Sequence, residues 1–137
     1  MLIRLEDLPP KLQEQARRKL SSKYHAEKAD VDGIKFDSKA ESERYASLKL
    51  LERAGAIQNL KLQPHFLLQD SFVYQGHKER KIEYIADFQY ERNGKIIVED
   101  VKGMKTEVYK LKRKLFLYKY RDVEFREVDR NGEKIKS

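Results

Sequence analysis

Two aspartates and a lysine stand where a strand would otherwise carry apolar residues. They are Asp87, Asp100 and Lys102, inside the stretch IEYIADFQYERNGKIIVEDVKG that runs from Ile82 to Gly103. Paired carboxylates suit a hard divalent cation such as Mg²⁺, which prefers oxygen ligands. A lysine beside them can orient a water or steady developing negative charge. This is the residue set for hydrolysing a phosphodiester, where the cation polarises a phosphoryl oxygen and lowers the pKa of a bound water. The carbonyl of Val101 can add an oxygen ligand, and Glu41, upstream, a third carboxylate.

The positioning element is a hairpin. Val, Ile, Tyr and Phe dominate both arms, and Asn93-Gly94 is the signal for a two-residue type I′ turn. Arg92 then opposes Lys95, Asp87 opposes Asp100, and Ile85 opposes Lys102. Alternation puts Ile85, Asp87, Gln89, Val98, Asp100 and Lys102 on one face. It puts Tyr84, Ala86, Phe88, Tyr90, Ile97 and Val101 on the other, a plausible core layer. Like charges directly opposed destabilise an antiparallel pair, and a cation between them would remove the repulsion. A three-residue loop would instead shift the register and oppose Asp87 to Glu99.

The remaining elements fall around this hairpin. Asp7, Pro9 and Pro10 start an N-terminal helix whose thin stripe is Leu8, Leu12, Ala16 and Leu20, followed by a linker at Ser21–Val31. Ser38 and Glu41 form an S-x-x-E capping box for a helix over Ser38–Ala54, stopped by Gly55. Its core stripe is Glu41, Tyr45, Leu48 and Leu51. Glu41 thus reads either as a capping-box residue or as an acid aimed at the aspartates. Ile57–Leu68 reads as a long strand, bent or confined to an edge by Pro64, and Gln63 is an accessory site candidate. Asp70–Lys81 reads as a polar connection.

Thr106 caps a third helix with a buried stripe of Val108, Leu111, Leu115 and Tyr118. From Lys102 to Arg121 there are eight Lys or Arg and one acid, Glu107. Such a run is either a solvated face or a phosphate track, with Lys105, Lys110, Lys112, Arg113 and Lys114 as the contacts. A strand at Asp122–Val128 and a polar tail close the chain. The expected domains are an arm and linker at 1–30, a catalytic-type domain at 31–130 and a tail at 131–137.

With 137 residues, the chain has the size of one domain, and its +7 net charge favours a polyanionic partner. Cysteine is absent, which removes disulfides and thiolate metal sites. There is no apolar run of about 18 residues, no export-signal pattern and no phosphate-cradling glycine loop, so neither membrane nor nucleotide cofactor is expected. His25, His65 and His77 lack metal-ligand spacing. Most aromatic residues fall on faces read as core, so no single-strand stacking platform is expected.

The strings FDSKAESERY (Phe36–Tyr45), LQPHF (Leu62–Phe66), YIADF (Tyr84–Phe88), EDVKG (Glu99–Gly103) and TEVYKLKRKLF (Thr106–Phe116) resemble the PD-(D/E)XK nuclease superfamily. Within it the chain resembles the phage-associated DUF1064 family, grouped with Holliday-junction-resolvase-like proteins. The resemblance implies an α/β restriction-endonuclease-like core of helix, three strands, helix and strand, with a mixed central sheet flanked by helices. By position it gives catalytic roles to Glu41, Asp87, Asp100 and Lys102, with Glu99 an alternative acid; Ala86 stands where the motif's name has proline. It implies a Mg²⁺- or Mn²⁺-dependent DNA endonuclease acting on branched DNA, a homodimer, and a phage- or prophage-encoded protein in the bacterial host cytoplasm. The rival readings are an inactive DNA-binding module and a phage interaction protein.

Overall fold

A computed structural model of the chain describes residues 10–11, 30–101 and 105–135. Pro10 and Lys11 are helical and exposed; the rest of the expected N-terminal helix, most of the linker and Lys102 lie outside the described residues. The elements in order are β1 (Asp30–Val31), β2 (Ile34–Lys35), α1 (Lys39–Arg53), β3 (Gln58–Leu62), β4 (His65–Gln69), β5 (Phe72–Tyr74), β6 (His77–Glu79), β7 (Ile82–Ile85), β8 (Phe88–Arg92), β9 (Lys95–Val101), α2 (Glu107–Lys119) and β10 (Glu124–Val128). The class is α/β, with a mixed four-stranded sheet ordered β10-β9-β8-β3. In it, β10 runs parallel to β9 and the other pairs are antiparallel. No described helix is long and apolar enough to cross a membrane.

The central hairpin has the register that the turn dictates. Asn93 and Gly94 have φ of 51° and 76°, as a type I′ turn requires, and pairing runs from Arg92↔Lys95 to Phe88↔Glu99. The alternative register is thereby excluded.

The strand expected to continue back to Ile82 is broken at Ala86-Asp87. Opposite this break, Gln63 (φ 48°) and Pro64 divide β3 from β4. The two breaks face each other and satisfy each other: the Gln63 N–H donates to the Asp87 carbonyl (2.9 Å) and the Ala86 N–H to the Pro64 carbonyl (3.1 Å). Proline has no N–H to give a ladder, so the bend falls where the sequence allows it.

The break changes which residues share a face. Phe88, Tyr90, Ile97 and Val101 pack with Tyr45, Leu48 and Leu51 of α1, as alternation predicts. Tyr84 and Ala86, expected with them, instead join Val98 and Phe116 in a second cluster under α2. Ile85 pairs with His65. Both faces of the hairpin are therefore covered.

Helix α1 follows its signals. The Ser38 hydroxyl accepts the Glu41 N–H (3.1 Å), and Gly55 follows the helix at φ +78°. Helix α2 has the expected cap, with the Tyr109 N–H on Thr106 Oγ1 (3.1 Å), but turns the other way. Val108, Leu111, Leu115 and Tyr118 are exposed, and the helix packs through Phe116 with Tyr109 beside it. The sequence carries two apolar stripes, and the aromatic one is buried. Phe116 meets Phe66 edge-on at 4.8 Å and Phe125 at 5.7 Å. Rings bury more area than aliphatic chains and gain from edge-to-face contact.

Three further strand pairings depart from the sequence reading. Asp32-Gly33 turns β1 into β2, and Gln75-Gly76 turns β5 into β6 inside the supposed connection; all four residues have positive φ. The tail folds back, bridging Val128 to Lys134, with the Ile135 N–H on the Glu127 carbonyl (3.0 Å). Gly132, in that return, lies against Arg44: a Cβ there would stand 2.4 Å from Nη1. Arg44 is fully buried and held, so it has nowhere to go. Gly132→Ala combines that clash with a φ of +83°. It is expected to destabilise the fold by about 1–3 kcal/mol, read as a lowered midpoint in thermal or urea unfolding.

Candidate active site

The acids meet at the break between β7 and β8. The regular ladder stops one step short of an Asp87–Asp100 pair. The Asp87 N–H turns to the Glu99 carbonyl (3.2 Å), and its carboxylate Oδ2 accepts the Val101 N–H (2.7 Å). Val101, whose carbonyl is the expected ligand atom, meets Asp87 here through its N–H. Asp100 lies on the α2 side of the sheet, where the Tyr84 hydroxyl donates to its Oδ2. Burial pushes the Asp87 carboxyl up to about 8, helped by Asp100 and then Glu41; the Val101 N–H works the other way. Asp87, at the β7–β8 break, therefore feels carboxylates from β9 and from α1.

Glu41 and Asp87 line a cavity of about 120 Å³ with Gln63 and Lys35. Gln63 belongs there because it forms the opposing half of the break. Lys35 had no part in the sequence reading. Its signal was Asp32-Gly33, a hairpin dipeptide that places β2 beside the head of α1. Tyr84 was also missed, because unbroken alternation put it on the wrong face.

Glu99 belongs to a different structure. Fully buried, it takes Arg44 Nε (2.8 Å) and Nη2 (2.7 Å) on its two oxygens, and the Tyr90 hydroxyl donates to it. The neighbouring acids are thus sorted by strand alternation, Glu99 to the α1 side and Asp100 to the α2 side. Of the two, Asp100 is the one that lies beside Asp87. Lys102, two residues on, lies outside the described residues.

The cations of α2 do not form one track. Lys105 and Arg113 turn inward to Glu127, at 3.4 and 3.6 Å, and Arg113 also lies over the Phe125 ring. Burial opposes ionisation of Glu127, but the Tyr109 hydroxyl, Arg113 and Lys105 hold it below the usual carboxylate value. Lys110 pairs with Glu107 (3.3 Å). Lys112 and Lys114 pair with no acid among the described residues, and they lie on either side of the exposed apolar stripe on a helical projection.

Among the described residues no group of three or more Asp, Glu or His side chains is disposed to hold a metal ion. The donor chemistry at Asp87 and Asp100 nonetheless suits one. Mg²⁺ keeps several waters and is commonly held by one or two carboxylates together with substrate phosphates. Two close carboxylates, one with its pKa raised by burial and by the other's charge, are the electrostatic situation that a cation relieves.

The fold and site define an α/β domain with a mixed sheet and an acidic site at a strand break. The chain belongs to the family described as "Protein of unknown function (DUF1064)", whose model matches residues 21–134. No curated protein matches it.

The Asp87 shift fixes a pH dependence. Between its ordinary value of 3.8 and about 8 the native state holds a proton that the unfolded chain has released. Stability from this group therefore falls as pH rises across that window, and the full penalty is present above it. Asp87→Asn is expected to raise the melting temperature by a few degrees at pH 9 in EDTA and to change it little at pH 4. Thermal unfolding of both proteins across this range checks the sign.

Proposed function

We propose that the protein is a divalent-metal-dependent DNA endonuclease of the PD-(D/E)XK type, with a restriction-endonuclease-like core. The observation that carries the reading is Asp87 beside Asp100, with burial and mutual repulsion raising Asp87 to about 8 and Glu41 contributing. A protein with a net charge of +7 that gathers acids at one break has a use for a cation there. When bound, Mg²⁺ or Mn²⁺ would polarise the phosphoryl oxygen and lower the pKa of a water.

On this reading Asp87 and Asp100 hold the metal, and Glu41 supports it from the head of α1. Tyr84 orients Asp100 through its hydroxyl, and the Val101 N–H fixes one oxygen of Asp87. Lys102 orients the nucleophile or steadies the developing charge. Lys112 and Lys114 are the α2 cations best disposed to reach phosphate, since Lys105 and Arg113 serve Glu127. Branched or junction DNA as substrate, a homodimer that cuts two strands, and a phage-encoded origin in the bacterial cytoplasm follow from the resemblance. A second reading, a DNA-holding domain without hydrolysis, draws on the lack of a three-acid metal group among the described residues.

Cleavage of a four-way junction, matched duplex and single strands, each with Mg²⁺, Mn²⁺ or EDTA, separates the two. The nuclease reading expects metal-dependent cutting that falls by about 10²-fold or more in Asp100→Asn, in line with loss of a principal charge-stabilising group. Metal-independent binding by both proteins with no cutting would establish the second reading.

A further inference from the structure

The hairpin β5–β6 offers aromatic rings to solvent where the fold has no need of them. Its pairs are Phe72↔Glu79, Val73↔Lys78 and Tyr74↔His77, and every residue of both strands is exposed. Phe72 and Tyr74 are 46% and 61% exposed, and neither belongs to a core cluster. A two-stranded hairpin is marginal in water without a covered face, so rings left bare there are poorly explained by stability. These two rings lie in the stretch read as a polar connection, outside the faces read as core.

Their spacing has a chemical use. Residues two apart on a strand leave from the same face and are separated by about 7 Å, at 3.4 Å of rise per residue. Nucleic-acid bases repeat at about 3.4 Å along a strand. The gap between Phe72 and Tyr74 therefore admits one base, stacked on both rings. Lys78 projects from the opposite face of the hairpin, beside Val73. Lys78, Arg80 and Lys81 line a cavity of about 440 Å³ with Ser71 and Glu83. Glu83 is already near Lys81 (3.6 Å) and His65 (3.4 Å). Lys78 and Arg80 meet no carboxylate among the described residues, which leaves two cations for phosphate.

We propose that the β5–β6 hairpin binds unpaired DNA, stacking a base between Phe72 and Tyr74 and holding neighbouring phosphates on Lys78 and Arg80. The inference rests on the reading of DNA as the ligand, and it does not require hydrolysis. It predicts a preference for DNA with unpaired segments: an unpaired base can enter the gap and a stacked duplex base cannot.

The test is fluorescence anisotropy in EDTA with a labelled 20-nucleotide oligothymidine, a fork with unpaired arms and a blunt duplex. Wild type is expected to bind the single strand and fork more tightly than the duplex. Phe72→Ser/Tyr74→Ser is expected to lose roughly 10-fold or more of the single-strand affinity, as stacking on aromatic rings predicts. Its duplex affinity should change less than about 2-fold, and its circular dichroism and melting temperature should match wild type. Lys78→Ala/Arg80→Ala should flatten the salt dependence on single strands by about 1.4 in log–log slope, at about 0.7 per phosphate. Equal affinity of wild type for duplex and single strand, no DNA binding at all, or unchanged binding by the aromatic variant overturns the proposal. Failure of the nuclease reading stays distinguishable: a protein that binds forks through this hairpin but never cuts loses only the hydrolytic function. One that cuts while the hairpin variants bind normally loses only this site.

Discussion

The ion pair between Arg44 and Glu99 governs the arrangement of everything around it. Arg44 projects from the middle of α1 and Glu99 from β9, 55 residues later, and both are fully buried. Burial alone would favour neutral guanidine, but the adjacent carboxylate keeps the charge in place. Taking two charges out of water is expensive, and such a pair is tolerable only with good geometry. Here the guanidinium is bidentate, the Tyr90 hydroxyl adds a bond to Glu99, and Gly132 closes over Arg44 with no side chain of its own. Removing one partner of a buried pair typically costs about 3–5 kcal/mol, because the other charge is left stranded.

The pair gives little net stability over apolar packing; what it fixes is orientation. A one-residue slip of β9 would exchange Glu99 for Asp100 on the α1 face and strand Arg44. The register that satisfies Arg44 is the one that delivers Asp100 to Tyr84 and Asp87. Two adjacent acids of similar chemistry are thereby given different roles by the pleat of a strand, with the arginine making the alternative register costly.

Local signals were legible in the sequence. Asn93-Gly94 set the hairpin register, Ser38 and Thr106 capped their helices, and Pro64 bent its strand, because each acts within four residues of itself. The proximity of Glu41, Asp87 and Asp100 was legible for the same reason, as charges at positions defined by those local elements. What escaped was set by contacts distant in the chain. Tyr84 changes face because a break at Ala86-Asp87 is stabilised by hydrogen bonds to Gln63 and Pro64, more than 20 positions away. Helix α2 carries two apolar stripes, and periodicity cannot rank Val108, Leu111, Leu115 and Tyr118 against a face anchored by Phe116. That choice is made by Phe66, Tyr84 and Phe125, which supply the rings Phe116 packs on.

The acids sit at the break for a physical reason. Within a regular ladder each backbone N–H has a partner on the neighbouring strand, and a side-chain carboxylate has none to accept. At Ala86-Asp87 the chain leaves β4 for β3 and β9, and the ladder cannot serve both sets of partners. Most of the deficit is met by crossed bonds to Gln63 and Pro64, and the Val101 N–H is left for the Asp87 carboxylate. That hydrogen bond helps to hold Asp87 partly buried near Asp100 even though their charges oppose it. A carboxyl whose pKa is raised by burial and by neighbouring acids at a strand junction would gain from an added cation on the proposed reading. An acid on an unbroken, solvated strand would not. The irregularity that defeats simple alternation is therefore the feature that sets the surroundings of Asp87.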